Sequence, residues 1–171
     1  MKVNLEAIMK FIGEVKKDPS LALKTKTVSG DCNFKDGEPH YAATVVFPKG
    51  EAVLSSDQLP FMGGTGMAPD PILYCLYGTA SCFAGTMMLI IAQRNLQVDS
   101  LKVTVQNKLN LNKPLGLGEA RLVEGVWITL EYTGTATQAE MDSAVLEAEE
   151  TCPGAYCVRN PIPLTTTVKK V

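Results

Sequence analysis

The chain has 171 residues, 46% of them hydrophobic and 20% charged, with a net charge of −2. That balance suits one globular domain with a proper core and excludes a disordered or fibrous chain. Its thirteen lysines and three arginines are scattered without a basic run, so nucleic-acid binding has no electrostatic footprint. A single histidine, His40, and five cysteines with no C-x-x-C pair leave no ordinary zinc set and no histidine-based metal centre, and no cofactor is expected.

In chain order, residues 4–17 read as a helix. Leu5, Ile8, Met9, Ile12 and Val15 share a face, Asn4 caps, and Asp18-Pro19 closes it. This charged start is not a secretory signal, which places the cysteines in a reducing, cytoplasmic compartment, where thiols are more often buried or redox-active than disulfide-bonded. Strands are expected at 22–30, 39–48 and 51–56, the first two joined by a turn at Lys35-Asp36-Gly37. The glycine-rich segment from Pro60 to Pro69 lacks the Lys-Ser/Thr of a phosphate-binding loop and reads as a flexible lid or crossover.

From Pro71 to Gln93 no residue is charged. About 20 such residues can span a bilayer. Gly78, Thr79, Ser81, Cys82, Gly85 and Thr86 within the stretch favour instead the central helix of a domain or dimer, with no membrane. Two long strands are then expected at 103–111 and 119–134. A capping box, Thr137-x-x-Glu140, opens a helix with a stripe of Met141, Ala144, Val145 and Ala148 that stops at Cys152-Pro153. A last strand is expected at 162–168. The sum is one α+β domain over residues 1–171.

Two cysteines stand out by their settings. Cys82 shares a helix face with Cys75, Gly78, Thr79 and Thr86, and reads either as a small apolar filler or as a reactive thiol. Cys152 precedes a proline; if Pro153 starts a further short helix, the amides there favour the thiolate. Cys157 reads as a core residue, and Cys32 and Cys75 have no distinguishing context.

Pro69-Asp-Pro71 leading into a helix that carries Ser81-Cys82-Phe83, and Cys152-Pro153 after the last amphipathic helix, resemble the OsmC/Ohr superfamily. The resemblance runs from about residue 22 to the end, with residues 1–20 an additional N-terminal helix. It implies an OsmC-like fold: an intertwined homodimer with antiparallel sheets around a buried central helix. It also implies a catalytic pair, in which a Cys82 thiolate attacks an organic hydroperoxide and Cys152 resolves the sulfenic acid into a disulfide. An external dithiol then reduces that disulfide. The family's founding peroxidases place an arginine before the central helix and a glutamate just inside it. Here residues 52–67 hold no Arg or Lys, and Ile72 follows Pro71. The alternative expectation is therefore an OsmC-fold protein that binds a small apolar or sulfur-containing ligand, or carries a persulfide.

Overall fold

The computed structural model describes residues 3–170. The chain divides into two compact units, Asn4–Cys75 and a second that begins at Leu76. The first unit opens with α1 (Leu5–Lys17), capped by the Asn4 side chain, which accepts from the Ala7 amide at 3.0 Å. Its apolar stripe forms as the sequence predicts, yet none of its residues is buried.

A three-stranded antiparallel sheet follows: β1 (Gly30–Cys32), β2 (Tyr41–Phe47) and β3 (Gly50–Ser56), with β2 central. The expected strand at 22–30 is reduced to Gly30–Cys32. Residues 19–22 form a single 3-10 turn instead, because Asp18 caps the Ser20 amide and Pro19 sits at the first helical position. The register pairs Cys32 with Tyr41 and Tyr41 with Ser56. Gly37, at φ 81°, takes the left-handed turn that returns β1 to β2.

The glycine-rich segment is ordered by one buried carboxylate. Asp57 is 1% exposed and accepts from the Thr65 hydroxyl at 2.6 Å and from the amides of Gln58, Thr65 and Met67. His40 Nδ1 lies 3.1 Å from its other oxygen. These contacts, led by the Thr65 hydroxyl, hold the Asp57 carboxyl well below the usual carboxylate range, against the opposing effect of burial. Gly64 is required here: a Cβ on it would sit 1.9 Å from the Gln58 carbonyl oxygen. The flexible lid expected from the glycines is thus a pinned turn.

Helix α2 (Pro71–Gln93) crosses from the first unit into the second. By length and composition it could span a membrane, and only 17% of its most apolar window is buried within the chain. The buried residues are Phe83, Met87 and Ile90, one stripe at helical spacing. Asn95 at φ 53° ends the helix in a left-handed cap, with the Leu96 amide bonded to the Ile91 carbonyl at 3.0 Å.

In the second unit β4 (Val98–Leu109) and β5 (Val123–Gly134) form a long antiparallel hairpin. It begins five residues before the expected first strand and four after the start of the second. Leu101↔Tyr132 and Val103↔Leu130 pair across it, and these residues with Ile128 pack against the core. Helix α3 (Gln138–Thr151) carries the predicted capping box, with the Thr137 amide bonded to Glu140 Oε2 at 2.8 Å. Met141, Ala144 and Ala148 of α3 meet Phe83, Met87 and Ile90 of α2 in a single core cluster, which also takes in Cys152 and Ala155.

Helix α4 (Pro153–Arg159) follows α3 with only Cys152 between them. The expected strand at 162–168 does not form; residues 161–170 have no regular structure, and Ile162, Leu164 and Val168 are exposed. A lone segment gains strand geometry only where a neighbour pairs its backbone, and β4 and β5 pair only with each other in this chain.

Candidate functional site: a thiol pair between α2 and α4

Cys152 occupies a position fixed by its neighbours in sequence. It caps α3, its amide bonding to the Ala148 carbonyl at 2.9 Å. Pro153 cannot continue α3, but its fixed φ suits the first position of the next helix. Cys152 therefore also caps α4, in extended geometry at φ −81° and ψ 117°, with its carbonyl accepting from the Tyr156 amide at 2.9 Å. The chain turns between the helices without a loop, and the Cys152 side chain is left 1% exposed.

Cys82 lies on α2, half-buried against the same core cluster. Gly154 makes the close approach possible. A Cβ on it would lie 3.0 Å from Cys82 Cβ and 3.4 Å from Cys82 Sγ. One turn further along α2, the Thr86 hydroxyl donates to the Cys82 carbonyl at 3.1 Å and also reaches the Cys152 sulfur. The structure brings the two predicted cysteines into hydrogen-bond contact, and the Cys82 thiol donates to Cys152 Sγ.

The two sulfurs are pushed in opposite directions. Burial raises the Cys82 thiol, and its contact with Cys152 raises it further; the Gly154 amide only partly offsets this. Burial also works against ionising Cys152. There, however, the Ala155 amide, the Cys82 thiol, the Thr86 hydroxyl and the Gly154 amide outweigh it and hold Cys152 below the ordinary thiol range. A negative charge shared by two sulfurs at this distance belongs to the pair; the donors place it on Cys152. The arrangement can hold one thiolate and one thiol, and can close a disulfide between them.

The other cysteines are elsewhere. Cys32, Cys75 and Cys157 are exposed, so Cys157 is a surface residue of α4 and not the core residue its position after Cys152 suggests. Cys32 and His40 line an open cavity of about 490 Å³ beside the β1–β2 turn. Among the described residues no cluster of His, Cys, Asp and Glu could hold a metal ion. Sequence reasoning missed three contributors. Thr86 was visible only as a small residue on the Cys82 face, Gly154 only as part of a turn, and Asp57 carried no signal beyond preceding the glycines.

A family described as OsmC-like protein matches residues 64–167, a range that contains both Cys82 and Cys152. A search of curated proteins found no match. Among solved structures the chain is similar to the organic hydroperoxide resistance protein OsmC of Legionella pneumophila. There the identity is 20%, the match covers 80% of this chain and 92% of that one, and the TM-score is 0.59. An OsmC-like protein of Mycoplasma pneumoniae aligns at 15% identity over 80% and 88% of the chains, with a TM-score of 0.58. A Vibrio cholerae organic hydroperoxide resistance protein, solved with captopril in one of its active sites, aligns at 16% identity over 80% and 87%, with a TM-score of 0.54. These likenesses establish the fold. Because the family match spans most of the chain, including all of α2 and both helices that carry the thiol pair, this protein belongs to the OsmC-like family.

Proposed function

We propose that this protein reduces organic hydroperoxides through Cys82 and Cys152. The observation that carries the reading is the direct contact of the two thiols, one half-exposed and one buried, within a single hydrogen-bonded group. Cys82 as thiolate attacks the terminal peroxide oxygen, the O–O bond breaks, and the alkoxide leaves as alcohol after taking a proton. Cys82 is then a sulfenic acid. Cys152 attacks that sulfur, hydroxide leaves as water, and the disulfide forms, to be reduced by an external dithiol. The apolar residues of α2 around Cys82 suit an alkyl or lipid hydroperoxide better than hydrogen peroxide. The partner in this reading is a second copy of the chain, which would cover the uncharged face that α2 leaves open.

The test is mass spectrometry of the reduced protein after one equivalent of cumene hydroperoxide. The wild type is expected to lose two hydrogens as a Cys82–Cys152 disulfide, Cys152→Ser to trap a sulfenic acid on Cys82, and Cys82→Ser to lose the reaction by about a thousandfold or more. Thiols that stay reduced for minutes under excess peroxide would overturn the reading.

A second reading has its own support. No Arg or Lys lies between residues 52 and 67 to orient a peroxide, and the Vibrio cholerae relative holds captopril, itself a thiol, in an active site. Under that reading the pair binds a small sulfur-containing ligand or carries a persulfide. Cyanolysis of sulfane sulfur from Cys152 after incubation with polysulfide, with no peroxide reaction, would favour it.

A further inference from the structure

Cys152 is more than a thiol waiting for its turn. Its sulfur is the acceptor of a hydrogen bond from Cys82, and it is ringed by donors: the amides of Gly154 and Ala155 and the hydroxyl of Thr86. Cys82 has the opposite character. It is the more exposed sulfur, so an incoming molecule meets it first, yet it holds the proton. The attacking sulfur is thus protonated and the charged sulfur is buried.

We infer that Cys152 rests as a thiolate and is the base that takes the Cys82 proton, so that one residue acts as base, acid and resolving thiol in turn. The inference rests on the peroxidase reading for its chemical setting. The pair starts as Cys82–SH and Cys152–S⁻. The proton moves along the existing hydrogen bond to give Cys82–S⁻ and Cys152–SH. Cys82 attacks the terminal oxygen, forming an S–O bond as the O–O bond breaks, and the alkoxide takes its proton from Cys152. Cys152, again a thiolate, attacks the sulfenic sulfur, and the departing hydroxide takes one proton from solvent. The sum is one dithiol monoanion, one hydroperoxide and one proton giving a disulfide, an alcohol and water.

The ionisable groups whose charge acts on Cys82 are Cys152 and, more weakly, Cys157 on α4. Burial keeps Cys82 protonated, and the contact with Cys152 does so too, so a transient exchange within the pair supplies the reactive form without titrating Cys82 against solvent. Such an exchange leaves a signature in the pH profile. Once Cys152 is charged, the fraction of pairs with the charge on Cys82 is constant, and the reactivity of Cys82 stops rising with pH. Without Cys152, Cys82 must lose its proton to water, and its reactivity rises about tenfold per pH unit until it titrates.

Two measurements without peroxide decide the matter, so their failure is separate from failure of the peroxidase reading. The first follows ultraviolet thiolate absorbance against pH. The lowest-pH step is expected to persist in Cys82→Ser, which keeps a hydroxyl donor, and to vanish in Cys152→Ser. The second follows alkylation of Cys82 by iodoacetamide, mapped by peptide mass. The wild type is expected to show a plateau through neutral pH and Cys152→Ser a continuous rise. A low-pH step that vanishes in Cys82→Ser and persists in Cys152→Ser would overturn the inference, and so would a wild-type profile that rises in parallel with the variant. The wild-type plateau stands as a test even if a variant folds poorly.

Discussion

Asp57 and Cys152 are each buried to about 1% exposure, and each is held by nearly the same kinds of donor. Asp57 takes the amides of Gln58, Thr65 and Met67, the Thr65 hydroxyl and the His40 imidazole. Cys152 takes the amides of Gly154 and Ala155, the Thr86 hydroxyl and the Cys82 thiol. The cradles differ in the acid placed inside them. A carboxyl group ionises near pH 4 without help, so at neutral pH its donors only fix a shape, here the turn from Gln58 to Met67. A thiol ionises near 8.5, so the same donors decide whether there is a charge at all. One cradle makes a staple and the other makes a reagent.

The largest expected effect breaks the staple. Asp57→Ala leaves the Thr65 and Met67 amides with no carboxylate, and their hydrogen exchange should rise by about a hundredfold or more as the turn opens. Asp57→Asn isolates the charge. The folded-state value is depressed, so the stabilisation is present above the unfolded value of about 4 and is lost as pH falls toward the folded value. Urea midpoints of wild type and Asp57→Asn should therefore differ most near neutral pH and converge in acid. A gap that stays constant down to pH of about 2 would mean that the charge contributes nothing.

The next effect is at the thiol pair. Gly154→Ala places a methyl group 3.0 Å from Cys82 Cβ and 3.4 Å from its sulfur, closer than side chains normally pack. Overpacking of this kind costs about 1–3 kcal/mol, or spreads the contact to avoid it. We expect the rate of Cys82–Cys152 disulfide formation to fall by about tenfold or more, while the hydrogen exchange of Thr65 and Met67 is unchanged. An unaltered disulfide rate would show that the close approach of α4 to α2 is not what joins the thiols.

The contrast also explains what could be read before any coordinates. Elements written in local pattern were legible: Asn4 and Thr137 as caps, the α2 and α3 stripes, and Pro153 as the start of α4. Cys152 was legible as a reactive thiol because its setting is local, an extended residue directly before a proline. The strands at 22–30 and 162–168 were misread because alternation supplies no partner, and the sheets that form offer them none. Asp57 was illegible for a related reason. Its donors come from one, eight and ten residues further on and from His40, and no periodicity links them. The lone histidine was weighed as a missing catalyst; it turns out to be one more donor to the staple.

The smallest effect compares the two threonines. Thr65 gives its hydroxyl to Asp57 at 2.6 Å, and its own amide serves the same oxygen at 3.0 Å. Thr86 has one proton for two acceptors, the Cys82 carbonyl at 3.1 Å and the Cys152 sulfur. Valine keeps the shape of threonine and is tolerated at χ1 within a helix, so each substitution removes little besides the hydroxyl. Thr65→Val should lower the urea midpoint and leave Cys82 alkylation unchanged. Thr86→Val should leave the midpoint nearly in place and slow disulfide formation at neutral pH by only about two- to threefold, because the sulfur had a partial share of that proton and keeps three other donors. A Thr86→Val effect as large as that of Gly154→Ala would mean the hydroxyl turns wholly to the sulfur once it is charged. The carbonyl bond seen in the structure would then belong to the uncharged pair.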